Sequence, residues 1–413
     1  MRIGFFSSMG GAGSVEVYLK TLMLKCREQG YTPVLFGLGG SWLYHELIKQ
    51  NIECVAWRAA SDSERMEIAT CAYERSDSDS TKKNSIVKRL RYACRDLLPV
   101  WFKLLAGNAR EMLRLVTVFR SHPVDVMHIN VHGYEVAGLS CRLLSIPCLG
   151  LYQISPGTES SWVRRWLLKV TGRSYHCLVG VSNACMNSWA AFCRVPAKRC
   201  RVVFNSVDVK SYHMHDKRGR RSPFRILCVA KLHPMKGIAY LIDAVAALMP
   251  MEVELVIAGN GILENSLKQQ AKDLGIEKNV VFMGHVSDVI RLYGDADCFV
   301  LPSIDFEGCS FALLEAMASG LPCVTSDYAP LAEVNVHERT GLVVPMKNSI
   351  ALAAAIKRLV RSPDECSKMG NEARKRVEDK FTSEKMVADM IDLYSILCSY
   401  ELAKKDKYVE FRN

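Results

Sequence analysis

The sequence predicts an α/β protein built from two doubly wound parallel sheets. Short apolar runs alternate with segments of helical periodicity along nearly the whole chain, the mark of strand–helix–strand units. The alternation stops over 211–223 (SYHMHDKRGRRSP), a polar, basic, Pro-terminated linker, and then restarts. The 413 residues suffice for two sizeable cores.

The first unit opens on RIGFF, a loop carrying Gly10, Gly11 and Gly13, and a helical pattern, VEVYLKTLMLKCREQG, that stops at Gly30. TPVLFGL, VDVMHIN, IPCLGLY, CLVGVS and RVVFNSV are its further strands. After the linker come FRILCVA, a helix over 237–249, VELVIAG, a helix near 263–274, then VVFMGH, CFVLPS, PCVTSD and GLVVP. A final helix is expected over about 383–400. The expected domains are 1–215 and 222–382, with that final helix packing back on the first domain. No repeat of 20–50 residues and no low-complexity tract is present.

Hydrophobic residues make up 49% and charged residues 23%, a folded rather than a disordered balance. No run of about 18 uninterrupted apolar residues predicts a spanning helix. MRIGFFSSMGG lacks the long apolar core of a signal peptide. The 16 cysteines include no CxxC pair and no zinc-like spacing with His. Scattered through a long chain, they read as reduced thiols of a cytoplasmic protein, small buried hydrophobes such as Cys148 after Pro147.

The net charge of +11 is uneven. Residues 1–222 hold 32 Lys/Arg against 17 Asp/Glu, whereas 223–413 hold 22 against 26. One basic half implies an anionic partner, nucleic acid or lipid. RNA-binding signatures are missing: no RNP aromatics, no KH-type clamp, no zinc finger. Lys82–Arg120 carries ten Lys/Arg and only Asp96 and Glu111. Its apolar stripe includes Leu90, Leu97 and Trp101, with Pro99 as a kink. Such a segment suits a membrane interface or an ordinary packed helix with a solvated basic face.

The chemistry concentrates in residues 301–327, LPSIDFEGCSFALLEAMASGLPCVTSD. A strand is expected to end at Ser303, a loop to carry Glu307 and Gly308, and a helix to start near Phe311 or Ala312 and carry Glu315. Free N–H groups at such a helix start form an anion site, and Gly308 permits close backbone approach. A diphosphate on those amides, flanked by two carboxylates, would suit a sugar nucleotide. Glu307 as a helix cap and Glu315 as a surface acid fit the same residues.

EGCSFALLEAMASGLP resembles the E-x7-E signature of the retaining glycosyltransferases of family 4, which share the GT-B fold: two Rossmann-like doubly wound parallel-sheet domains facing across a cleft. LCVAKLHPMKGIAYLIDAV, VELVIAGNG, VSNACMNSW, VVFNSVDVKSY and the GGAG near the start resemble further family segments in the same order. The resemblance implies that Lys231 and Lys236 clamp the donor diphosphate and, with Glu307 on the transferred sugar, carry catalysis. It implies that Glu315 holds the nucleotide ribose. Backbone at Gly308, Cys309, Ser310, Phe311 and Ala312 would cradle phosphate and sugar. Gly259 and Gly261 would approach the base, and Gly11 and Gly13 the donor phosphate. Glu333 matches a recurrent family glutamate that also reads as a structural hydrogen-bonding group. Two departures stand out: the segment written GRL in many members is AKL here, and Gln153 stands near the place of a family histidine. His132 is the acceptor-side candidate, with His128 close by.

The expected protein is thus a glycosyltransferase of cell-surface polysaccharide (O-antigen-type) biosynthesis. It would move a sugar from a nucleoside-diphosphate sugar to a lipid-linked or polysaccharide acceptor with retention of configuration. It would need no cofactor, no metal and no nucleic acid, and would work in the cytoplasm or at the inner, anionic face of the plasma membrane. The alternative is a basic lipid- or nucleic-acid-binding protein on the same fold.

Overall fold

The computed structural model describes residues 1–8, 14–59, 100–131, 136–156, 162–213, 222–286, 288–305 and 307–403. Gly11, Gly13 and His132, the 82–99 part of the basic segment and most of the 211–223 linker lie outside the described residues.

The first unit runs β1 (Arg2–Phe6), α1 (Ser14–Glu28), β2 (Thr32–Gly39), α2 (Trp42–Lys49), β3 (Glu53–Ala59), α3 (Val100–Ser121), β4 (Val126–Asn130), α4 (Ala137–Leu143), β5 (Cys148–Tyr152), α5 (Trp162–Ser174), β6 (Cys177–Gly180), α6 (Asn183–Cys193) and β7 (Cys200–Val202). The second runs β8 (Phe224–Val229), α7 (Ile238–Ala246), β9 (Val253–Ala258), α8 (Glu264–Asp273), β10 (Val280–Gly284), α9 (Ile290–Asp295), β11 (Cys298–Leu301), α10 (Phe311–Ala318), β12 (Cys323–Ser326), α11 (Ala329–Val334), β13 (Gly341–Val344), α12 (Ser349–Arg361) and α13 (Pro363–Lys380). A long α14 (Ser383–Ala403) follows.

Both sheets are parallel. Their orders are β3-β2-β1-β4-β5-β6-β7 and β10-β9-β8-β11-β12-β13. Each therefore reverses direction once, between β1 and β4 and between β8 and β11. Ligands of such sheets sit outside the carboxyl ends of the strands at that switch point. Central strands β4, β5, β6 and β11 are buried throughout because helices cover both faces, which is why they read as unbroken apolar runs.

Two strand expectations change. β3 (ECVAWRA) has no counterpart in the sequence reading; it is an edge strand, and its mixed burial breaks the apolar run. RVVFNSV forms strand only to Val202, after which the chain makes a single bridge, Val207 to Thr382.

α14 packs along α1 and against β4. Its Tyr394 lies edge-on to Phe5 and donates or accepts a 2.7 Å bond with Nδ1 of His128. His128 is a core residue on β4 with no exposure. Burial holds its imidazole neutral and pushes its pKa down to about 3. A depressed folded-state pKa means that the unfolded chain binds the proton more tightly. The contribution to stability is therefore complete above about pH 6.5 and lost as pH falls toward 3. Urea unfolding at pH 7 and pH 5 should show a loss of about 2 kcal/mol from this residue, at 1.36 kcal/mol per pH unit over the window's upper part. That increment should vanish in His128→Gln; an equal acid loss in the variant would place the sensitivity elsewhere.

Candidate functional site

The carboxyl ends of the two sheets meet across a cleft. In the second unit, β11 delivers the chain into Pro302 and Ser303. A 3-10 turn at Pro234–Lys236, capped by the His233 side chain, docks against this loop. Ile304 N–H donates to Met235 O at 2.8 Å. Gly237 ends the turn at φ +65°, where a Cβ would stand 2.2 Å from the Pro302 carbonyl oxygen, so only glycine fits. The docking sets Lys236 Nζ 2.5 Å from Oε1 of Glu307. Ser303 Oγ donates to the same oxygen at 2.9 Å. Glu307 is 7% exposed, so this carboxylate is held rather than solvated.

Gly308 follows, and its backbone nearly touches the first unit. A Cβ there would lie 1.9 Å from the backbone oxygen of Gln153, the residue after β5. Asn205 Nδ2 donates to the Cys309 carbonyl at 2.8 Å. Ser310 caps α10, its hydroxyl accepting from Leu313 N–H at 3.5 Å. That leaves first-turn amides at Phe311 and Ala312 directed at the cleft end of the helix. Glu315 sits one turn in and is half-buried, its Oε2 accepting from Tyr293 Oη at 2.8 Å. Tyr212, from the end of the first unit, bonds the same carboxylate. Desolvation raises the Glu315 pKa, and the two phenols oppose the rise.

Gly259 and Gly261 close the loop after β9 against the loop after β8. Their Cβ atoms would fall 2.0 Å from Ala230 O and 2.4 Å from Leu232 O, and Leu232 N–H donates to Asn260 O at 2.9 Å. The exposed Lys231 rides on this pair of loops.

The structure thus gathers Lys236, Glu307, Gly308, Cys309, Ser310, Phe311, Ala312 and Glu315 on one side of the cleft, with Lys231, Gly259 and Gly261 on the neighbouring loops of the same sheet end. Among the described residues no group of three or more His, Cys, Asp or Glu is gathered as a metal site.

Glu333, read in the sequence as a family glutamate or a structural hydrogen-bonding group, makes structural hydrogen bonds here, while a pair of buried amides in the first unit carries no sequence signal. Glu333 of α11 crosses the cleft and accepts from Asn183 N (2.8 Å), Asn183 Nδ2 (3.0 Å) and Ala184 N (2.5 Å), so a carboxylate of the second unit caps a helix of the first. In the first unit, Asn130 ends β4 at the switch point. Both its amide atoms, and Nε2 of Gln153 beyond the adjacent β5, are buried without a hydrogen-bond partner among the described residues. Buried amides without partners are rare enough to need a reason, and no sequence signal marks them.

Known proteins divide the chain the same way. The profile "Glycosyltransferase Family 4" matches residues 15–211 and "Glycosyl transferases group 1" matches 213–376. AmsK, the amylovoran biosynthesis glycosyltransferase of Erwinia amylovora, is 32% identical over 67% of this chain and 72% of its own. The Escherichia coli UDP-Gal:α-D-GlcNAc-diphosphoundecaprenol α-1,3-galactosyltransferase is 24% identical over 70% of this chain and 80% of its own. Curated relatives are matched over 52% to 80% of their lengths. The crystal structure of Anabaena Alr3699/HepE in complex with UDP superposes with a TM-score of 0.75 at 17% identity, covering 96% of this chain and all of that one. Two facing parallel sheets, the loop-and-helix site between them and these matches over both halves lead to one assignment: the chain belongs to the family 4, group 1 glycosyltransferases of the GT-B fold.

Proposed function

We propose that the protein transfers a sugar from a nucleoside-diphosphate sugar, UDP-linked in the first instance, to a lipid-linked glycan, with retention of configuration. The observation that carries this reading is the Lys236–Glu307 pair, its carboxylate buried and its lysine partly exposed, beside the capped start of α10. A diphosphate on the α10 amides would meet Lys236, with Lys231 on the adjoining loop. Both cations stabilise the charge that develops as the bond between the sugar and the phosphate oxygen breaks. Glu307 would then accept hydroxyls of the transferred sugar, and Glu315 those of the ribose. These groups hold the diphosphate without a divalent metal.

The acceptor hydroxyl approaches from the first unit, past Asn130 and Gln153, and bonds to the anomeric carbon on the face that the diphosphate leaves. Its proton passes to the departing phosphate oxygen. Glu307, engaged by Lys236 and Ser303, stays out of the proton transfer. A lipid-diphosphate acceptor is supported by the name of the Escherichia coli relative and by the basic first half. A place in surface-polysaccharide synthesis at the inner face of the plasma membrane follows from the same two observations. Among the described residues no helix is long and apolar enough to cross a membrane.

A thermal-shift series with UDP, GDP, ADP and CMP tests the donor side. At a hundredfold excess over Kd, a ligand of the native state adds about 2.7 kcal/mol to stability. One nucleoside diphosphate should raise Tm, and Glu315→Ala should remove most of the rise. No rise with any nucleotide would overturn the reading.

A further inference from the structure

We infer that the α3–α6 face of the first unit docks on an anionic lipid bilayer through Trp162 and Trp166 of α5. The inference deepens the reading above by naming the surface on which a lipid-linked acceptor would arrive.

α3, α4, α5 and α6 pack side by side over one face of the first sheet. Together they carry nine Lys/Arg and a single acid, Glu111. On the opposite side, α1, α2 and α14 carry five Lys/Arg and seven Asp/Glu. Among the helices of the first unit the basic excess thus lies on this side, and residues 194–222 carry a further nine Lys/Arg against two Asp/Glu. Glu111 is already paired with Arg114 at 3.6 Å.

Large apolar side chains stand out from the same face. In α5, Leu167, Thr171 and Ser174 point inward, at the i, i+4, i+7 spacing of a buried stripe. Trp162 and Trp166, one turn apart on the other side, are 71% and 52% exposed. Leu113 of α3 and Leu143 of α4 are 66% and 65% exposed. Arg110, Arg114 and Arg120 of α3 and Arg165 and Arg173 of α5 are exposed as well. Arg165 and Lys169 of α5 each lie 5.4 Å from the Phe192 ring of α6.

Two exposed indoles amid cations with almost no acid suit one environment well, the headgroup level of an anionic membrane. Indole rings partition there, and nearby Lys and Arg are drawn to the negative surface of the bilayer. Apolar insertion plus basic charge is also the two-signal combination that stable peripheral attachment requires.

Position supplies the functional sense. α5 begins just beyond the carboxyl end of β5, so Trp162 and Trp166 lie at the end of the sheet that carries Gln153 and the cleft. A bilayer on this face would present its headgroups at the cleft mouth.

The test is co-sedimentation of the full chain with phosphatidylcholine vesicles, with and without phosphatidylglycerol. Wild type should sediment with the anionic vesicles and not with the neutral ones, and the binding should weaken with salt. Trp162→Ser/Trp166→Ser should lose at least about tenfold in apparent affinity, a change of about 1.4 kcal/mol. Its Tm and its nucleotide-induced shift should remain those of wild type, because both side chains are exposed. A second variant neutralises Lys82, Lys83, Lys88 and Arg89, the rival basic segment. The proposal is overturned if wild type ignores anionic vesicles, or if the tryptophan pair binds as well as wild type while the lysine–arginine variant does not. It is also overturned if the pair instead converts a dimer to a monomer in light scattering. Vesicle binding without any nucleotide shift would sink the transferase reading and leave the docking face standing.

Discussion

Lys236→Ala should lower kcat by about 10²–10³, the usual cost of removing one preorganised group that faces developing charge. Lys236 makes the closest charged contact to Glu307 among the described residues, and its turn is locked to the 302–304 loop through Met235 and Gly237. A merely structural ion pair would give a different result. Removing one partner of a buried pair strands the other charge and costs stability, about 3–5 kcal/mol when fully buried and less here, where the lysine keeps partial exposure. Steady-state kinetics and Tm therefore have to be read together. In Lys236→Ala/Glu307→Gln no charge is stranded and Ser303 still has a partner, so Tm should recover while kcat stays low. Recovery of both would show the pair to be structural. Lys236→Arg should restore little, because the planar guanidinium cannot reproduce a point charge in this turn.

Gly308→Ala should abolish at least about 99% of the activity, since misplacing reacting groups by about 1 Å costs 10²-fold or more. The added methyl would stand 1.9 Å from the Gln153 backbone oxygen and 2.7 Å from a methyl of Val181. Backbone cannot yield as a flexible side chain can, so the loop has to withdraw from the first unit. Glu307 and the start of α10 would move with it, and the 2.8 Å Asn205–Cys309 bond would break. Apart from Gly11 and Gly13, the nucleotide contacts proposed above, Lys231, Lys236, the α10 amides and Glu315, belong to the second unit and move together with the loop, so most of the UDP-induced Tm shift should survive in Gly308→Ala while turnover collapses. Loss of both, at unchanged fold by circular dichroism, would mean that the loop itself rather than its seating carries the defect.

Much of this was legible in the sequence for definite reasons. Buried parallel strands leave apolar runs, so VDVMHIN, IPCLGLY and CFVLPS announce themselves, whereas β3 at a sheet edge mixes Glu53 and Arg58 with Val55 and Trp57 and does not. The loop at Glu307 and Gly308 is visible because spacing within one strand–loop–helix unit is local. What crosses the cleft is not. The reach of Glu333 to the start of α6 joins residues 149 and 150 apart, and Tyr212 meets Glu315 across the end of the linker. The orphan amide of Asn130 is a tertiary fact as well, since nothing in VMHIN distinguishes a satisfied amide from a buried, unpartnered one. His128, which the sequence leaves beside the candidate His132, proves to be held in the core by Tyr394, some 266 residues away.

The path of α14 bears on how the protein can be divided. After the last helix of the second unit the chain turns at the Val207–Thr382 bridge and returns to cover α1 and β4. The first domain is therefore assembled from two stretches of chain that flank the second unit, so its outer layer, Tyr394 included, is made only after the whole second unit has been synthesised. A fragment ending at the 211–223 linker would leave Phe5 and His128 without Tyr394 over one sheet face. Expression of that half alone calls for residues 383–403 to be grafted onto it, for instance through a linker placed ahead of β1.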